Sequence, residues 1–118
     1  MNGTLGLLYF LEDCNVISVD WRDLAGPVPW YGICCANAKK VGKRTGDLLL
    51  FMMDNVGLSA SDVHVIGFSL GGQLVAFIGQ QTNGALARIT GLDPAGKHKF
   101  WHKINQKHVN MNSLWGKY

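Results

Sequence analysis

The chain has 118 residues, 47% of them apolar and 16% charged, which excludes a disordered chain and leaves room for one small domain with a core. Its apolar runs, such as the six residues from Leu48 to Met53, fall far short of the ~18 that a membrane span needs. The net charge of +3 hides an asymmetry, because residues 1–93 carry six Lys/Arg against eight Asp/Glu while residues 94–118 carry five Lys and no acid.

The start of the chain has no basic region ahead of its apolar run and no small-residue cleavage site, so no secretory signal is legible. Residues 4–13 read instead as an amphipathic helix. Residues 15–20 form a β-branched run bounded by polar residues and predict a strand. Residues 21–30, with Gly26, Pro27 and Pro29, predict a loop. From Tyr31 to Val56 the pattern is helical. Val41, Thr45, Leu48, Leu49, Met52 and Val56 fall on one face and Lys39, Lys43 and Asp47 on another, with Asn55 and Gly57 as the stop. A second strand is predicted over 63–68. A helix over 70–80 follows, its buried stripe Leu74, Phe77 and Ile78. After a turn at Asn83-Gly84, a third strand runs over 88–93. Strands alternating with helices predict an α/β fold, a parallel sheet with right-handed crossovers.

Cys14, Cys34 and Cys35 are odd in number and do not sit at metal-ligand spacing. They read as small buried hydrophobes, with a disulfide to a segment outside this chain as the competing reading. Residues 97–118 show no periodicity and read as a basic tail. The lysines there have no base-reading motif beside them, so nucleic-acid binding is not expected.

Gly67-Phe68-Ser69-Leu70-Gly71 fits G-x-S-x-G and sits between a predicted strand and a predicted helix, the context of a nucleophile elbow. Such a turn projects the serine oxygen from the sheet tip and aims the next backbone N–H, that of Leu70, at a developing oxyanion. The glycines on either side are expected to leave room for strand and helix. No Lys follows the glycines, which argues against a phosphate loop and a nucleotide cofactor. Asp93 stands 24 residues on, at the carboxyl end of the next strand, the edge where catalytic groups of open parallel sheets gather.

Four segments carry a family resemblance. They are Asn15-Val16-Ile17-Ser18-Val19-Asp20-Trp21, the helix from Ala38 to Gly42, the strand and elbow from Val63 to Gly71, and Arg88-Ile89-Thr90-Gly91-Leu92-Asp93-Pro94-Ala95. Over about residues 5–96 the chain resembles the pancreatic-lipase family of animal lipases, most of all its insect members, including the phospholipase A1 branch. The resemblance implies a partial α/β-hydrolase fold with residues 1–96 as its central part, Ser69 as nucleophile, Asp93 as triad acid and Leu70 as an oxyanion donor. It implies hydrolysis of acylglycerols or glycerophospholipids at a lipid–water interface, and secretion. The chain departs from the family pattern at Phe68, where His is common, at Gly72-Gln73, where Ala-His is common, and at Lys97, where proline is common.

The family's catalytic histidine would lie downstream of this chain and its His-Gly oxyanion loop upstream of it. The acidic calcium loop would follow Asp93, where no acid occurs, so no bound metal is expected. His64 is expected to be structural, and His98, His102 and His108 have no scaffold that would make one of them the base. The chain therefore reads as the middle of a lipase that lacks the triad histidine. Alternatives are a non-catalytic lipid-binding or storage protein of the same fold and an inactive fragment.

Overall fold

The computed structural model describes residues 13–26 and 31–95. The predicted helix over 4–13 and the basic tail over 97–118 lie almost wholly outside these residues, as do residues 27–30 of the predicted loop. In chain order the described elements are α1 (Arg22–Ala25), α2 (Tyr31–Val56), a 3-10 turn (Ala60–Asp62), β1 (His64–Phe68), α3 (Leu70–Gln81) and β2 (Arg88–Leu92). The two strands pair in parallel, with His64 opposite Arg88 and Phe68 opposite Leu92, and α3 is the crossover between them. The helices predicted over 31–56 and 70–80 and the strands at 63–68 and 88–93 therefore stand at their expected places.

Helix α3 is buried nearly all round. All residues from Gly72 to Gly79 are buried, so the three-residue stripe expected for it is too narrow. One side packs on β1 and β2 and the other on α2, and a helix with protein on both sides has no polar face to keep. Leu74, Val75, Ala76 and Ile78 form the core with Leu49, Val41 and Ala38 of α2, Ile89 of β2 and Leu86 of the connecting turn. That turn is built by positive φ at Asn83 (53°) and Gly84 (71°).

Helix α2 meets α3 along its small residues. Ala38 and Gly42 are a turn apart, and Gly46 a turn further on. A Cβ on Gly42 would stand 2.7 Å from the Leu74 carbonyl oxygen and from the Phe77 Cβ. A Cβ on Gly46 would stand 2.6 Å from the Gln81 side chain. The glycines thus bring the two helices into backbone contact, and the Gln81 Nε2–H donates to Asp47 Oδ1 at 2.6 Å across the seam. The buried face is accordingly rotated from the expected one. Val41 and Leu49 are buried as expected, but Leu48 is 47% and Val56 66% exposed. The helix stops where expected, with Gly57 at φ 73°.

The strand expected over 15–20 is not formed. Residues 13–20 have no regular structure and are all exposed. A β-branched run becomes a strand only when a neighbour takes up its backbone N–H and C=O groups. Among the described residues β1 pairs with β2 alone. Residues 17–21 lie instead beside α2, where they line an open groove of about 530 Å³ with Lys40, Val41, Arg44, Thr45 and Leu48. The predicted loop at 21–30 contains the short α1, which docks on α2 through Asn37 Nδ2–H donating to the Leu24 carbonyl at 2.9 Å and through the Cys34 thiol on the Ala25 carbonyl. Cys34 is buried as a small hydrophobe and Cys35 is half-buried, whereas Cys14 is exposed, against expectation.

Candidate active site

The chain leaves β1 at Phe68 and enters α3 at Leu70, so one residue, Ser69, makes the whole turn. Its backbone stands at φ 54°, ψ −118°, a left-handed conformation that costs an L residue on the order of 1–3 kcal/mol. Ser69 is also the N-cap residue of α3, yet its side chain makes no capping hydrogen bond. A serine at this position ordinarily accepts from the second or third helical N–H. The positive φ turns the Cβ away from those donors and leaves the hydroxyl uncommitted to the helix. Leu70 is the first helical residue, so its N–H has no intrahelical acceptor and lies at the positive end of the helix dipole.

Backbone contacts hold this turn from three directions. The Ser69 N–H donates to the Leu92 carbonyl at 2.9 Å, which extends the β1–β2 ladder by one step. The Ser69 carbonyl accepts from Gly72 N–H and from Ala95 N–H, both at 3.0 Å. Gly67 must be glycine, because its Cβ would fall 2.1 Å from the Gly71 carbonyl oxygen. Gly71 differs from expectation: a Cβ there meets nothing within 4 Å. The second tight glycine is Gly72, where a Cβ would be 3.0 Å from the Pro94 Cβ.

Asp93 follows Leu92 at the end of β2. Because Phe68 pairs with Leu92, Ser69 and Asp93 leave adjacent parallel strands at the same level. Asp93 is exposed and has φ 44°, a second left-handed residue at the same edge. His64 lies at the opposite end of β1, five residues before Ser69, or about 16 Å along a strand. Its Nε2 is 2.9 Å from the Thr90 hydroxyl, a cross-strand contact that fits the structural role expected of it. His98, His102 and His108 lie outside the described residues.

One residue that the sequence offers only as a departure from the family pattern belongs to this edge. Gln73, one turn into α3 from Ser69, is 6% exposed, and its Nε2–H donates to the Ala95 carbonyl at 2.8 Å. Its Oε1 is buried with no hydrogen-bond partner among the described residues. An unsatisfied buried acceptor costs about 1–3 kcal/mol. The available signal was a lone amide in the otherwise apolar run from Leu70 to Gly79, four residues after the serine.

A strained serine between a parallel strand and a crossover helix, with a carboxylate at the end of the neighbouring strand, is the arrangement of the α/β-hydrolase class. The chain belongs to the lipase family: a family profile described as Lipase matches residues 5–109. It is 41% identical over 88 residues to a pancreatic triacylglycerol lipase of Cavia porcellus, an alignment covering 75% of this chain and 18% of the relative. It is 42% identical over 89 residues to pancreatic lipase-related protein 2 of Homo sapiens, covering 75% of this chain and 19% of the relative. With lipase member H-A of Xenopus laevis it shares 40% over 89 residues, covering 73% and 18%. The chain thus spans less than a fifth of the length of these relatives. Family membership implies an α/β-hydrolase fold, of which the two parallel strands and their helices are a part.

Proposed function

We propose that this chain carries the nucleophile and acid of a serine carboxylic-ester hydrolase acting on lipid esters, either acylglycerols or glycerophospholipids. Ser69 is the nucleophile, Asp93 the carboxylate of the triad, and Leu70 N–H one donor to the oxyanion. The single observation that carries the reading is the Ser69 backbone, strained at φ 54° and released from capping its own helix. Strain of this kind persists where the surrounding structure over-determines it, and here three backbone hydrogen bonds and Gly67 do so.

In the reaction a histidine, which stands outside the described residues, takes the Ser69 hydroxyl proton as the oxygen attacks the ester carbonyl. Leu70 N–H and the α3 terminus stabilise the tetrahedral oxyanion. Its collapse breaks the ester C–O bond, and the histidine returns the proton to the departing alcohol. Water then adds to the acyl-serine by the same proton route and releases the carboxylic acid. Asp93 holds the histidine in the required tautomer and stabilises its cationic form. Similarity to pancreatic lipases supports a secreted protein working at a lipid–water interface.

The test is a fluorophosphonate probe on the full-length protein, with hydrolysis of a triacylglycerol and of a phosphatidylcholine measured alongside. Ser69→Ala is expected to abolish labelling and to lower kcat by at least about 10⁴-fold on the preferred ester. Lipid binding with no hydrolysis by the unmutated protein would overturn the reading in favour of a binding or storage role.

A further inference from the structure

The turn that carries Asp93 is held to the first turn of α3 by a small set of contacts. Ala95 N–H reaches the Ser69 carbonyl at 3.0 Å. Pro94 rests against Gly72, where no Cβ would fit without displacement. The third contact is the only side-chain hydrogen bond of the three: Gln73 Nε2–H on the Ala95 carbonyl at 2.8 Å. Gln73 is 6% exposed and Ala95 half-buried, so this bond is partly shielded from water. Its other amide atom, Oε1, is buried and unpartnered among the described residues, which makes the amide costly to keep for packing alone.

We propose that Gln73 is a positioning residue, which sets Asp93 against Ser69 by clamping the turn two residues beyond the carboxylate. The inference rests on the Ser69–Asp93 reading above. The clamp is needed because Asp93 sits at φ 44°, a conformation that an aspartate does not hold by preference. Without a tie, the backbone at Asp93 relaxes toward negative φ and swings the carboxylate away from the sheet edge. Ser69 and Gln73 are successive N-terminal turns of one helix, so the bond ties the carboxylate to the same rigid body that presents the serine. Gln73 touches neither reacting atom, and its whole effect on the reaction passes through Asp93.

The experiment is a double-mutant cycle on ester hydrolysis by the full-length protein, with Gln73→Met as the near-isosteric variant that cannot donate. Displacement of a catalytic group by about 1 Å costs up to roughly 100-fold in rate. Gln73→Met is therefore expected to lower kcat by about 10-fold to 100-fold with KM changed less than about threefold. In an Asp93→Asn background the same substitution is expected to cost nothing further, because the group it positions is already gone. Gln73→His, whose ring N–H can donate across a similar reach, is expected to recover most of the rate.

A loss that adds in full to that of Asp93→Asn overturns the proposal, and so does an unchanged kcat in Gln73→Met. If Gln73→Met fails to fold, the Gln73→His and Gln73→Asn pair decides. Asparagine keeps the amide but is too short to reach Ala95, so equal rates for the two also overturn it. If Ser69→Ala leaves hydrolysis intact, the fault lies in the underlying reading. If Ser69→Ala abolishes hydrolysis while the cycle is additive, only the role of Gln73 falls.

Discussion

At Gly67 a methyl group would stand 2.1 Å from a backbone oxygen of Gly71 and 2.4 Å from its carbon, and neither atom can move without unwinding the first turn of α3. Gly67→Ala should therefore destabilise the fold by about 3 kcal/mol or more, read as a lowered urea midpoint. Ser69 is tight in a different way, through its dihedral angles. Ser69→Gly should be more stable than Ser69→Ala by about 1 kcal/mol, because glycine accepts φ 54° without strain. That order reverses the usual ranking of the two residues, and equal midpoints would show that the turn stores no strain. Both variants lose the hydroxyl, so the comparison isolates the conformational cost of the turn. The same edge holds a second left-handed residue, Asp93 at φ 44°, whose turn Gln73 of α3 contacts through the Ala95 carbonyl.

Helices α2 and α3 approach closely because glycines stand where a side chain would hold them apart. Gly42 faces the Leu74 carbonyl and the Phe77 Cβ at 2.7 Å, and both neighbours belong to the rigid part of α3. Gly42→Ala is expected to cost about 1–2 kcal/mol, the clash outweighing the ~1 kcal/mol that alanine gains in helix propensity. Gly32 is the control. It lies in the same helix with nothing within 4 Å of its Cβ position, so Gly32→Ala should stabilise by about 0.5 kcal/mol. If both substitutions shift the thermal midpoint upward, the close helix contact is absent in solution. Strand β1 presents the opposite situation. Val65 packs on the core, while Ile66 and Phe68 on its other face are 38% and 69% exposed. Parallel strands ordinarily have both faces covered, and among the described residues only the α3 face is.

For the molecule as a whole, these contacts divide the chain into a tight centre and a loose approach. Native-state hydrogen exchange should be slowest in α3, where Gly72 to Gly79 are buried, and fast over residues 13–20, which are exposed and outside any ladder. Strong protection over 15–20 would mean that this run is paired as a strand after all. Much of this organisation was legible in the residues. The apolar runs with β-branched residues mark β1 and β2, the 3.6-residue period marks α2 to its last turn, and G-x-S-x-G marks the serine turn between strand and helix. The matched family residues, 5–109, run past the charge break at residue 94. Where structure and local pattern differ, the cause is the same. Residues 15–20 carry strand chemistry, but a strand needs a partner that no local pattern supplies. The large side chains of α2 point to one buried face, whereas Ala38, Gly42 and Gly46 govern the contact through their smallness. The local pattern around Gln73 carries no sign of its hydrogen bond, because the acceptor, Ala95, is 22 residues away. Local sequence thus determined which segments are helix or strand and where the serine turn falls, since periodicity, turn chemistry and steric need act within a few residues. Only the tertiary structure decided which faces are buried, which strand finds a partner and which contacts tie the turn after β2 to α3, because each depends on groups that folding brings together from distant parts of the chain.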